Sequence, residues 1–254
     1  MEVDFSKTAR DYAHYRAGFP DALFDRLAAQ GIGRHEQRTL DLGSGTGSLA
    51  RGFARRGARV TAVDVSEDML AAARELAAAE GVVLETLCAR AEDTGLPGES
   101  FDVVSAGQCW HWFDRPAAAR EVRRLLRPGG RLVICHFDWI PLPGNVVEAT
   151  ERLIRKHNPA WRWGGGTGLH PAWLADAANA GFVDLETFSF DTVVAYSHEA
   201  WRGRIRASAG VGGNLPPEQV AHFDHQHAAL LAVDFPQDPL SVPHRVFALL
   251  ASTP

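Results

Sequence analysis

Three glycines at alternate positions, Gly43, Gly45 and Gly47, follow a short apolar run that carries Asp41. Glycine allows a tight turn and lets a ligand approach the backbone closely. A helix that starts just beyond such a turn adds free N–H groups. This is the equipment for ligand capture at the carboxyl end of a strand, where open α/β sheets bind their ligands. A pyrophosphate site asks for GxGxxG, whose third glycine lets helix and strand pack closely. Here position 48 is serine, and an acid stands two residues before the first glycine. An acid at the turn suits a ligand that carries a cation and opposes a pyrophosphate. Seventeen residues beyond Gly47, Asp64 ends the β-branched run RVTAVD. A carboxylate there can accept hydrogen bonds from ribose hydroxyls. Nicotinamide enzymes share such an acid, so it supports a nucleoside ligand without choosing between donors.

The second cluster is QCWHWFD, residues 108–114, directly after another apolar strand. Aromatic faces attract cations, which gives Trp110 and Trp112 a use beside a charged ligand. His111 has the side chain best suited to general base catalysis near neutral pH, and shaping the ligand site is its other reading. His136 and Asp138 follow the next strand at the same productive edge, where they bind an acceptor or cap a loop. In HFDHQH, residues 222–227, His222 and His225 are spaced i, i+3 on a helix. That pattern fits a solvated face better than a metal site, and no metal is expected.

Alternating elements must hold these groups. The pattern predicts a helix over 20–31, strands at 38–42, 59–65, 82–89, 101–107 and 131–137, and helices between them. Ser66 is a good N-cap, and Asp114 with Pro116 opens another helix. This is a βαβ series, hence a parallel sheet with helices on both faces. After about residue 138 the rhythm changes: helices are expected in 146–157, 171–181, 198–210 and 216–235, and strands in 182–196 and 241–252. The tract NPAWRWGGGTGLHP fits no regular element. The fold class expected is therefore α/β, a doubly wound, mostly parallel seven-stranded sheet with helical lid insertions.

Bulk properties set limits. A length of 254 residues suits one domain with a sizeable core. The net charge of −5 argues against a protein built to grip a nucleic-acid backbone. The three cysteines, Cys88, Cys109 and Cys135, are odd in number, lack metal spacing and lie in apolar stretches. Buried thiols in a reducing cytoplasm are expected. The N-terminal segment has no signal-peptide core, and no run is long and apolar enough to span a membrane.

These motifs together resemble the class I S-adenosylmethionine-dependent methyltransferases. DLGSGTG resembles their first motif, AVDVSEDML the second-strand motif, ARAEDTGLP the adenine-edge loop, FDVVSAGQCWHWFD the fourth strand with its exit, and LLRPGGRLVI the turn into strand five. The resemblance covers residues 35–137, and ARDYAHYRAGFP is similar to the lead-in of the subgroup with ubiquinone-biosynthesis and trans-aconitate methyltransferases. It implies S-adenosylmethionine as cofactor. Asp41 and the backbone of Gly43, Ser44, Gly45 and Gly47 would hold its methionine part, and Asp64 its ribose. Val65 and Met69 would pack on the adenine, Ala91 and Glu92 would face its edge, and Gln108 would line the methionine side. Arg16 would meet the carboxylate, with Tyr12 or Tyr15 closing over it. Trp110, Trp112, His136 and Asp138 would then face the acceptor.

The domain expectation is one methyltransferase domain over 1–254, with a donor-binding core at 35–137 and an acceptor lid with C-terminal elements at 138–230. The lid's tryptophans suit a small molecule with an apolar or aromatic part. The expected partner is such an acceptor, with no nucleic acid or membrane, and a homodimer compatible with the lid. Three rivals stay open at this point: a non-catalytic S-adenosylmethionine-binding protein, a nicotinamide oxidoreductase, and a methyltransferase for RNA or protein.

Overall fold

A computed structural model describes residues 15–254. Strands β1 (Arg38–Leu42), β2 (Arg59–Asp64), β3 (Glu85–Cys88), β4 (Phe101–Gly107), β5 (Leu126–Trp139), β6 (Val183–Tyr196) and β7 (Leu240–Ser252) form one seven-stranded sheet in the order β3-β2-β1-β4-β5-β7-β6. The pairings of β1 with β2, β1 with β4, β2 with β3 and β4 with β5 are all parallel. The order reverses between β1 and β4, so the loop after β1 opens at a topological switch point.

Two compact units make up the chain, and each is described separately. The larger holds Gly18–Phe137, His170–Phe190 and Val246–Pro254. Its helices are α1 (Asp21–Ala29), α2 (Ser48–Ala54), α3 (Glu67–Ala79), α4 (Arg115–Leu125) and α6 (Ala172–Asn179). Local chemistry fixes their ends. The Ser66 hydroxyl accepts the Met69 N–H, and Glu67 and Asp68 favour the positive end of α3. Asp114 accepts the Ala117 N–H at the start of α4, whose last turn carries Arg123 and Arg124. Leu40, Leu42, Val63, Val104, Leu132, Ile134 and Leu249 lie in its core, and the two-sided burial of these strands explains their unbroken apolar runs.

Of the described residues, the smaller unit holds 15–17, Asp138–Leu169 and Asp191–Arg245. It contains α5 (Val146–His157), α7 (His198–Arg206) and α8 (Pro217–Asp234), packed through Ile154, Trp201, Ile205, Phe223 and Leu231. A polar thread runs inside it: the Trp201 indole N–H donates to the Thr150 hydroxyl, which lies 3.1 Å from His227 Nε2. Burial pushes His227 down to about 4, which keeps the imidazole neutral. Arg202 and Arg206 of α7 both grip Asp224 of α8. His222 and His225 are exposed on α8, and the Gln226 amide sits between the Nε2 atoms of His222 and His157.

Two expectations need correction. Strand β3 is shorter than the 82–89 read from its apolar residues, and Cys88 is exposed rather than buried. The cause is position: β3 is the edge of the sheet, so its side chains are only partly covered. Among the described residues, no helix is long and apolar enough to cross a membrane.

Candidate active site

The glycine turn begins where β1 ends. Gly43, Gly45 and Gly47 have φ of 59°, 53° and 77°, a left-handed conformation that side chains disfavour. Space matters too. A Cβ on Gly43 would stand 2.9 Å from Cys109 and Phe113, whereas one on Gly45 meets nothing within 4 Å. The turn is packed beneath Gly43 and open over Gly45. Asp64, at the end of β2, pins it: one carboxylate oxygen accepts the Gly45 N–H at 2.8 Å and the other the Ser66 N–H at 3.0 Å. Two of its lone-pair directions remain for hydroxyl donors. Val65 beside it is 67% exposed, an apolar surface next to a polar one. The buried Ser44 hydroxyl has no hydrogen-bond partner. A nucleoside with a charged amino-acid tail fits this set: a hydroxyl acceptor, an apolar shelf, an open backbone turn and an orphan hydroxyl.

Asp41 is more deeply placed than its motif suggests. It is 1% exposed and accepts the Ser105 hydroxyl at 2.8 Å. Burial raises its pKa to about 7, against the opposing hydrogen bonds from Ser105 and the Ala50 backbone. An acid held near neutrality becomes a full anion when a cation arrives. Ser105 is a residue that motif reading missed, although it stands directly opposite Asp41 in the β1–β4 register.

The other donor candidates divide by surroundings. Gln108 donates from its side chain to the Phe137 carbonyl at 3.1 Å and adopts φ of 65° at the end of β4. Met69 and Ala91 are buried. The Glu92 carboxylate accepts the Asp114 N–H and pairs with Arg90 at 3.2 Å, which fixes the loop to the start of α4. Tyr15 and Arg16 belong to the smaller unit, where the Tyr15 ring lies against Gly203 and leaves no room for a Cβ there. Tyr12 lies outside the described residues.

The strand-four exit forms a short 3₁₀ turn, Trp110–Trp112. Its two indoles have different fates. Trp110 is fully buried and donates from Nε1 to Asp176 at 3.0 Å, with Arg115 on the same carboxylate oxygen at 3.1 Å. It is therefore a core residue. Trp112 is 43% exposed. His111 is half-buried, its ring centroid 4.6 Å from that of Trp112 and 5.4 Å from that of His136. His136 in turn meets His170 at 4.4 Å, and His170 stacks on Trp173 at 4.1 Å and 7°. His170 sits in an irregular segment with no periodicity, so no sequence signal tied it to this group. Asp138, half-buried, belongs to the smaller unit, where its negative charge acts on Glu151 and His244.

Comparison with known proteins bears on this geometry. Residues 40–134 match a family model described as a methyltransferase domain. An uncharacterized methyltransferase of Mycobacterium tuberculosis is 37% identical over 153 residues, which is 58% of this chain and 60% of that protein. The ubiquinone/menaquinone biosynthesis C-methyltransferase UbiE of Paraburkholderia phymatum is 37% identical over 120 residues, 45% of this chain and 49% of that one. The chain thus matches between about half and 60% of the length of these curated relatives. Among solved structures, the YcgJ protein of Bacillus subtilis superposes with a TM-score of 0.60 at 20% identity, covering 92% of this chain and 99% of that one, a likeness of fold.

Proposed function

We propose that this chain is a class I S-adenosylmethionine-dependent methyltransferase that transfers a methyl group from S-adenosylmethionine to a small-molecule acceptor with an apolar or aromatic part. The observation that carries this reading is the pair of carboxyl ends at the switch point. An open Gly45 backbone ends β1, and Asp64 beside it keeps lone pairs for a ribose while Val65 offers an apolar shelf. The bound donor supplies a methyl carbon already activated by its sulfonium. The protein's own work is placement. The turn and Ser44 would hold the amino-acid tail, with Asp41 turning fully anionic against its ammonium. Gln108, tied to Phe137, would close the methionine side.

Displacement at an activated carbon needs alignment and dryness more than acid–base help. Trp112 and the imidazoles of His111 and His136 would line the acceptor side. His111 would take a proton where the acceptor is a hydroxyl. Trp110 is left out of this set because its indole is enclosed. The match to C-methyltransferase relatives supports a small acceptor, and the −5 charge weighs against nucleic acid. Calorimetric titration with S-adenosylhomocysteine tests the donor site. Binding that falls by roughly 10-fold or more in Asp64→Ala, where a charged acceptor is lost, supports it. Equal binding by the variant, or none by either protein, refutes it.

A further inference from the structure

The tract Arg162–Gly166 lies between two anchors of its own unit. On one side the Trp161 ring is buried among Ile154, Trp201 and Val211. On the other, Arg245 donates to the Thr167 carbonyl at 2.9 Å and holds Asp191 with two further bonds of 2.6 and 2.8 Å. Gly168 fits against Ile140 and Arg245 so closely that a Cβ would stand 2.9 Å from Ile140. Between the anchors the tract touches a buried carboxylate. Glu151, 3% exposed, accepts the Gly165 N–H at 2.7 Å with one oxygen, which also meets Arg155 at 3.3 Å. Its other oxygen accepts the Trp139 indole N–H at 2.9 Å. Trp139 packs edge-on against Trp201 at 5.5 Å and lies under Arg204 at 4.7 Å. Gly164 is pressed so tightly to Trp161 and Arg155 that a Cβ would stand 2.6 Å from the indole. Trp163 between them is 60% exposed.

We infer that Arg162–Gly166 is a flap, fixed at both ends and latched at its middle by Glu151, which links its position to Trp139. The reasoning is one of hydrogen-bond supply. A carboxylate has acceptors for all three donors, the Gly165 N–H, the Trp139 N–H and Arg155. Three consecutive glycines give the tract backbone freedom that such a bond restrains. Because Gly165 and Trp139 bond the two oxygens of one carboxylate, any rotation of that carboxylate disturbs both bonds together. Glu151 is thus a positioning residue for the flap.

Glu151→Gln keeps the volume but has one acceptor oxygen, so its NH₂ must face either the Gly165 N–H or the Trp139 N–H. Amide hydrogen exchange of the whole protein, with and without that change, tests the latch and needs neither donor nor acceptor. We expect exchange at Gly164–Gly166 to rise by roughly 10- to 100-fold, the loss of one hydrogen bond to a charged group. Trypsin should cut faster after Arg162, while Val146–His157 stays protected and S-adenosylhomocysteine binding is unchanged. Exchange that rises equally along the helix would make Glu151 a general support of the unit and overturn the inference, as would unchanged exchange at the flap. Trp139→Phe, which removes the indole N–H and keeps an aromatic ring of smaller volume, tests the link independently. It should alter exchange at Gly165, joined to it through Glu151 and 26 residues away in sequence; no change there would break the coupling. Loss of donor binding in the unmodified protein, with the flap result intact, would instead count against the methyltransferase reading alone.

Discussion

Replacing Asp41 with asparagine separates two duties that the native side chain combines. In the folded chain Asp41 is 1% exposed and burial lifts its pKa from the ordinary 3.8 to about 7. The sign follows from linkage: a group whose folded pKa is raised binds its proton more tightly in the native state. The stability it contributes is complete below pH 3.8 and is lost as pH rises towards 7. Asparagine mimics the protonated acid at every pH. Its carbonyl can accept the Ala50 N–H, and its amide can donate to Ser105, whose hydroxyl then turns to the Leu40 carbonyl 3.3 Å away. At about 1.4 kcal/mol for each pH unit across that window, the variant should be more stable than the native protein by about 4 kcal/mol at pH 8. The gap should shrink to about 1–2 kcal/mol near pH 5 and close near pH 4. Urea unfolding of both proteins at several pH values measures it. Parallel stability profiles from pH 4 to 8 would refute the argument that burial keeps this acid near neutrality. The same substitution should weaken S-adenosylhomocysteine by roughly 10- to 100-fold if the ammonium is what ionises Asp41. A gain in stability would then accompany a loss of binding at a single atom's exchange.

Two further outcomes can be checked with simple assays. In the folded protein a thiol reagent should modify Cys88 quickly and leave Cys109 and Cys135 unreacted until unfolding, since both are buried and burial pushes the Cys135 thiol well above its usual range. Trp110→Phe should lower the melting temperature by a few degrees, because Asp176 loses a donor worth roughly 1–3 kcal/mol, yet it should leave donor binding intact. A large loss of binding would mean that Trp110 does more than fill the core.

Much of this architecture was legible from local signals. The glycines that need positive φ, the serine and aspartate caps, and the apolar β-branched strands each declare themselves within a few residues, and each of the seven strands overlaps a run so read, although β3 is shorter and β5 begins at Leu126 rather than 131. What stayed illegible is what depends on partners far along the chain. Ser105 is 64 residues from Asp41, and only the pairing of β4 with β1 brings them together. Trp110 and Trp112 look equivalent in sequence, but Asp176, 66 residues on from Trp110, takes one of them into the core. Cys88 read as buried because apolarity does not reveal that β3 is the sheet's edge. His170 and Glu151 carried no signal at all, since neither sits in a motif or on a periodic face that names its role.

The placement of β7 between β5 and β6 has a consequence for synthesis on the ribosome. Strand β6 emerges before its neighbour exists, and β5 waits as a temporary edge. Only when Leu240–Ser252 leaves the exit tunnel can the last strand enter the gap and bury Val246–Ala251 on both faces. Until then the nascent chain exposes an apolar slot ready to capture any passing strand.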